Sequence, residues 1–266
     1  MSFRFCFLFF LWMIGLNVDA QELELQTTIE GDFDLMMTDN IGRIYLASES
    51  ELFLYTKEGK LLYRYSDLSR GQISHLDTRN PLKLLLFYPD YARITFLDNT
   101  LSPTRTEPLD LNNLELQLAQ LSCTSFDNGF WVYDPVSFRL LRFNQSVKVT
   151  NEVANINQLV GAEINPNQMV EEDSWLYLND PKYGVFVFDS FGTFSKLIPL
   201  VGAQKIQVRG DAIFLQTEEG LIKYDGVSLE QSQIDLPVDT WTELRIEKGW
   251  LYVLSEEGIL IYKYVK

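Results

Sequence analysis

The sequence predicts an all-β fold made of six copies of one four-stranded antiparallel unit. Three observations predict it. Short hairpins recur along the chain: "IYLASESELFLYT", "LLFYPDYARITFLD", "FWVYDPVSFRLLRFN", "LYLNDPKYGVFVFD", "IFLQTEEGLIKYD" and "LYVLSEEGILIYKY". Each is a strand, a tight polar turn and a second strand. Their second residues, Tyr45, Leu86, Trp131, Tyr177, Phe214 and Tyr252, stand 41, 45, 46, 37 and 38 residues apart and are mostly aromatic. A second set follows in Tyr55, Leu97, Phe143, Phe188, Tyr224 and Tyr262, each trailed by Thr56, Asp98, Asn144, Asp189, Asp225 or Lys263. A β-rich repeat of about forty residues is the pattern of a β-propeller, each repeat forming one blade of a closed ring.

The first stretch, "MSFRFCFLFFLWMIGLNVDAQ", stands apart from the repeats. Arg4 precedes an apolar run from Phe5 to Leu16, too short for the roughly twenty residues a membrane-crossing helix needs. Val18, Asp19 and Ala20 fit a cleavage site, so residues 1–20 are expected to be a secretory signal and the mature chain to start at Gln21. Cys6 lies inside the apolar run, where a lipid-anchored cysteine would not. Residues 21–266 are expected to form a single domain.

Within that domain, "ELELQTTIEG" (residues 22–31) alternates like a strand with no partner before it. The six hairpins are each preceded by an alternating segment that ends in a turn: "DFDLMMTDNIG", "ISHLDTRNP", "LAQLSCTSFDNG", "PNQMVEEDS", "KIQVRGD" and "TELRIEKG". These are the expected inner strands. The first five hairpins are followed by a fourth strand, such as "KLLYRYS" or "FSKLIPL". The sixth is followed only by Lys263, Tyr264, Val265 and Lys266. The segment at 22–31 is therefore expected to supply the missing outer strand and close the ring, which removes both exposed sheet edges.

Cys123 is the one cysteine beyond the expected signal, so an intramolecular disulfide is excluded and the fold must rest on its core. In "LAQLSCTSF" it is expected to be buried, with few polar neighbours, and inert. A formal net charge of −15 repels phosphate backbones and disfavours nucleic acid and anionic membranes as partners.

Catalytic material is sparse. His75 is the only histidine, so His-rich zinc sites are excluded and any Ser-His-Asp triad must use this residue, which is expected to line the tunnel or sit satisfied in the core. No Gly-rich phosphate loop, H-E-x-x-H or G-x-S-x-G is present. Asp32, Asp34, Asp77, Glu171, Glu172 and Glu243 carry oxygens that suit calcium. Their unequal offsets read instead as solvated charges, so no metal and no cofactor is expected.

The hairpin turns share one face and differ by sector. Blades 2, 3 and 4 carry "YPDY", "YDPVSF" and "NDPKY"; blades 1, 5 and 6 carry "SESE", "TEE" and "SEE". Aromatic, proline-stiffened turns suit a protein interface, which makes Tyr88, Tyr91, Tyr133, Phe138 and Tyr183 the candidate partner-binding residues. The alternative is that these rings fold back onto neighbouring blades.

The repeat unit resembles the six-bladed propeller superfamily, and "DNIGRIYLAS" is similar to the Asp, Gly, apolar-strand signal of NHL-type repeats; TolB-like propellers share the style. Superfamily membership says little about activity; the expected signal, the lone thiol and the scarcity of catalytic groups point instead to an exported, non-enzymatic scaffold or subunit of a bacterial envelope complex, periplasmic or associated with the outer membrane through a partner. Accessories of type IX secretion and partners of barrel assembly are the analogues. Two other classes stay open: a calcium-dependent hydrolase or lactonase with its site in the tunnel, and a glycan or peptidoglycan sensor that stacks sugars on the aromatic sector.

Overall fold

The structure, a computed structural model, describes residues 22–265; the expected signal, residues 1–20, lies outside them. The chain opens with β1 (Glu22–Glu30) and then builds five consecutive sheets of four antiparallel strands. Blade 1 is β2 (Leu35–Thr38), β3 (Ile44–Ser48), β4 (Glu51–Tyr55) and β5 (Leu61–Ser66). Blade 2 is β6 (His75–Asp77), β7 (Leu84–Tyr88), β8 (Arg93–Leu97) and the two-residue β9 (Leu109–Asp110). Blade 3 is β10 (Leu121–Thr124), β11 (Phe130–Asp134), β12 (Arg139–Phe143) and β13 (Val149–Val153). A short helix, α1 (Ile156–Val160), leads to blade 4: β14 (Gln168–Glu172), β15 (Trp175–Asp180), β16 (Gly184–Asp189) and β17 (Phe194–Ile198). Blade 5 is β18 (Lys205–Arg209), β19 (Ala212–Thr217), β20 (Gly220–Asp225) and β21 (Gln231–Ile234).

Blade 6 has β22 (Glu243–Glu247), β23 (Trp250–Ser255) and β24 (Gly258–Val265), and its fourth strand is β1. The register runs from Glu22 opposite Val265 to Glu30 opposite Gly258, with one irregularity between Leu25 and Thr27. The closing strand expected at residues 22–31 is thus in place. Gly258 is required there. Its φ is +130°, and a Cβ on it would lie 2.2 Å from the carbonyl oxygen of Ile29, so only glycine lets β1 lie against the turn into β24.

The recurring polar residue after the second aromatic set caps the turn to the outer strand. The Asp98 carboxylate accepts from the amides of Thr100 and Ser102, Asn144 from those of Ser146 and Lys148, Asp189 from those of Phe191 and Thr193, and Asp225 from those of Val227 and Ser228. Thr56 does the same with its hydroxyl. These are side-chain turns that replace a missing backbone partner. Lys263 belongs to β24, which pairs directly with β1 and needs no such cap. In blade 2 the turn is longer and the expected fourth strand shrinks to β9.

The apolar core is divided among the seams between blades. Six clusters of buried side chains each join two adjacent blades; one of them packs Trp131 and Tyr133 of blade 3 against Leu176, Leu178 and Phe186 of blade 4. A strand in the middle of a blade is therefore covered on both faces, and β7 and β11 are buried at every position.

The inner strands of neighbouring blades splay too far apart to pair by backbone, and side chains bridge them. Gln168 bonds both the amide and the carbonyl of Ile206, and Gln207 both those of Ile246. The Asp77 carboxylate accepts from the amide and hydroxyl of Thr124, Glu171 from the amide of Phe126, and Glu243 from the amide of Met36. Thr78 donates its hydroxyl to the carbonyl of Thr38. Each of the six seams holds one of these clasps, so buried backbone groups that a continuous ladder would satisfy are satisfied by side chains instead.

Candidate docking face and central tunnel

The turns within the hairpins lie on one face with the connections between blades, and here the expected aromatic sector divides. Tyr91 and Phe138 are exposed, at 49% and 44%. Tyr88 and Tyr133 are buried, at 1% each, so neither ring is available to a partner. The physical reason is their place at the end of a mid-blade strand, which two neighbouring blades cover. Burial, with the charges of Asp180 and Asp134 beside it, pushes the Tyr133 hydroxyl up to about 12. Tyr183 is half-buried, edge-on to Phe186 with ring centroids 6.2 Å apart.

Sequence reasoning missed the aliphatic part of this face. Leu118, Val136, Leu159 and Val201 are exposed, and bonds between the loops that carry them bring most of them together. The Asp134 carboxylate accepts from the amides of Gln117 and Leu118 on one side and of Val136 and Ser137 on the other. The amide of Ile156, which opens α1, donates to the carbonyl of Phe138. Tyr91 and Leu118 line one shallow cavity of about 400 Å³. The result is a strip of Tyr91, Leu118, Val136, Phe138 and Leu159 running from blade 2 to the start of blade 4.

The Asp-Pro pairs of blades 3 and 4 organise it. Asp180 repeats the pattern of Asp134, accepting from the amides of Asn165, Lys182 and Tyr183. The signal in the sequence was therefore the Asp before each proline. It ties the inter-blade loop to the hairpin turn and fixes the height at which the loop's own side chains stand.

The second feature is the tunnel. Inner strands of all six blades enclose a cavity of about 440 Å³. Five of the six carboxylates weighed for calcium line it or stand on these strands, and the reading of them as solvated charges is corrected for three. Asp77, Glu171 and Glu243 are buried and bonded to protein donors. Asp77 pairs with Arg79, Glu243 with Lys205 at 2.8 Å, and Glu171 takes the indole Nε1 of Trp131 and the hydroxyl of Ser125. Asp32 and Asp34 are exposed, and Asp34 accepts from the amide of Glu49. Among the described residues no three His, Cys, Asp or Glu side chains are grouped as a metal site requires.

His75 lines this cavity at the end of β6, edge-on to Phe87. Burial lowers its pKa, and Lys205 adds to the effect. Cys123 is buried as expected, and burial pushes its thiol pKa up. Its surroundings are more polar than expected, with Arg79, Asp77 and Glu171 close enough to act on it.

No family model matches the chain, and no curated protein matches it in sequence. Solved structures do match in shape. A virginiamycin B lyase from Staphylococcus aureus superposes with a TM-score of 0.60 at 10% identity, over 93% of this chain and 100% of that one. BamB from Moraxella catarrhalis superposes with a TM-score of 0.54 at 11% identity, over 92% and 98%. The extracellular domain of a putative one component system from B. thetaiotaomicron gives 0.56 at 15% identity over 87% of this chain, which spans only 33% of that longer one. The chain is a six-bladed β-propeller. At these identities the likeness concerns the fold alone, and a lyase and BamB sharing this propeller's shape shows how little the ring dictates chemistry. In this propeller no helix among the described residues is long and apolar enough to cross a membrane.

Proposed function

We propose that the propeller is an exported, non-enzymatic scaffold that docks a protein partner of the cell envelope, outer-membrane associated or periplasmic, on its hairpin-turn face. The observation that carries the reading is the set of exposed apolar side chains Tyr91, Leu118, Val136, Phe138 and Leu159, in which Asp134 ties the Leu118 loop to the Val136 turn. Contiguous apolar surface on an otherwise acidic protein is the mark of an interaction site. Glu218, Glu219, Glu256 and Glu257, in the turns of blades 5 and 6, frame the same face with negative charge. Such charges steer approach and reject wrong partners more than they add affinity. The fold shared with BamB and with the extracellular domain of a putative one component system is compatible with the setting; the strip supports the mode of binding.

The test is recovery of the native partner from detergent-treated envelopes by the propeller and two variants, each first shown to melt normally. Tyr91→Ser with Phe138→Ser should abolish recovery, because an exposed aromatic anchor is typically worth about 2 kcal/mol or more. Charge neutralisation at Glu218, Glu219, Glu256 and Glu257 should change the salt dependence and leave recovery at low salt. Undiminished recovery by the aromatic double variant would move the binding surface elsewhere on the ring.

A further inference from the structure

The tunnel wall holds polar atoms that the protein leaves unmatched. Thr38 Oγ1, His75 Nδ1, Arg79 Nη1 and Arg245 Nε are buried without a hydrogen-bond partner among the described residues, and all four residues line the same cavity. Buried polar groups are nearly always satisfied, so four orphans on residues that line one cavity point to a missing partner. Arg245 is the sharpest case. It is only 5% exposed, and the nearest carboxylate oxygen, Glu243 Oε1, is 3.8 Å away, beyond hydrogen-bond reach.

The other nearby carboxylates are engaged. Glu243 Oε2 holds Lys205 at 2.8 Å and the amide of Met36 at 3.0 Å. Glu247 holds Arg209 at 2.7 Å, and Asp77 holds Arg79. Burial pulls the Arg245 pKa down to about 10, against the attraction of Glu243 and with the repulsion of Arg209. A charge that burial disfavours this strongly gains from any anion brought within reach.

We propose that the tunnel binds a small organic monocarboxylate, its carboxylate on Arg245 and Arg79 and its apolar body against Met37, Met169, Ile206 and Val208. The ion pairing leaves one cation over. Arg79 is paired with Asp77, Lys205 with Glu243 and Arg209 with Glu247, so Arg245 alone of the cations lining the cavity has no carboxylate within hydrogen-bond reach; a single negative charge matches it, while a phosphate dianion also meets the carboxylates of the wall. A guanidinium fork matches the two oxygens of a carboxylate. The volume of about 440 Å³ lies within the range of pockets that enclose small ligands. This site is separate from the hairpin-turn strip, so loss of one leaves the other intact.

The test is calorimetric titration of the propeller with 3-phenylpropanoate and, in parallel, with its neutral isostere 3-phenylpropanamide. The carboxylate should bind saturably and the amide at least about tenfold more weakly, a difference of about 1.4 kcal/mol. Arg245→Met should bring the carboxylate down to the level of the amide. Because a change at a buried arginine can disturb folding, Met37→Trp provides a second variant: it fills the cavity from a half-buried wall position, removes no charge, and should block binding at an unchanged melting temperature. Equal binding of acid and amide, undiminished binding by Met37→Trp, or no saturation of the carboxylate at low millimolar concentration would overturn the proposal.

Discussion

The indole Nε1 of Trp131 in blade 3 donates to Oε2 of Glu171 in blade 4 across 2.5 Å, with the tryptophan fully buried between them. The same carboxylate takes the Ser125 hydroxyl at 2.8 Å and the Phe126 amide at 2.7 Å, so one side chain satisfies three donors of the neighbouring blade.

Replacing Glu171 by Ala strands all three donors, and the expected loss is about 3 kcal/mol of folding stability. Trp131→Phe on its own removes one donor together with part of the seam packing. In urea denaturation the pair should be non-additive: the double variant should be less destabilised than the sum of the two singles, because one shared bond is lost only once.

The seam between β1 and β24 makes a second expectation. Gly258→Ala drives a Cβ into the Ile29 carbonyl at 2.2 Å and should lower the melting temperature about as much as deleting Glu22 to Thr28. Both expose an edge in blade 6. A truncated protein melting within a degree or two of the parent would show that the ring holds without the closing strand.

Acid stability should report on Asp77. Burial raises its carboxyl pKa, but the pairing with Arg79 and hydrogen bonds from Arg79 and Thr124 outweigh burial and hold it at about 2, below the ordinary value of 3.8. A depressed carboxylate stabilises the fold above the unfolded pKa and loses that contribution as pH falls through the folded one. The contribution, of the order of 2 kcal/mol, should thus be complete above pH ~5 and fade as the pH drops from about 4 to about 2. Asp77→Asn should flatten the stability profile in that window and lower stability at neutral pH.

Cys123 should resist a thiol reagent for as long as the fold persists. Burial raises its pKa and withholds the thiolate. Stoichiometric labelling is expected only in denaturant, followed by the absorbance of the released chromophore.

The ring was legible in the sequence because its signals are local. Hairpins alternate, turns carry Asp, Asn and Gly, and the spacing from Tyr45 to Tyr252 repeats without any long-range contact being known. Even the closing strand left a local mark, the alternation of residues 22–31, and β1 pairs with β24. The burial of Tyr88 and Tyr133 was not legible, because a tyrosine at a turn reads as exposed until the neighbouring blade is placed over it.

The clasps were hidden for a different reason. Asp77 and Thr124, or Gln168 and Ile206, stand some forty residues apart, and the six seams draw on Asp, Thr, Gln and Glu, so no single recurring letter marks them. The tunnel carboxylates read as solvated charges on the same account: their donors from other blades are backbone amides, hydroxyls, an indole and a lysine. Leu118 sits in an irregular loop and Leu159 in α1, a helix too short to show a period.

The closing seam also fixes how the ring responds to force. Glu22 lies opposite Val265 and Glu30 opposite Gly258, so the outward ends of β1 and β24 are neighbours. Tension that separates them loads the bond pairs one after another, as a zipper opens, whereas a pull along the strands in opposite senses would load them all together. A propeller that heat must break as a whole can thus be opened by a modest tug at its paired ends, one residue at a time, with the first yield at Glu22 and Val265 and the last at the glycine turn.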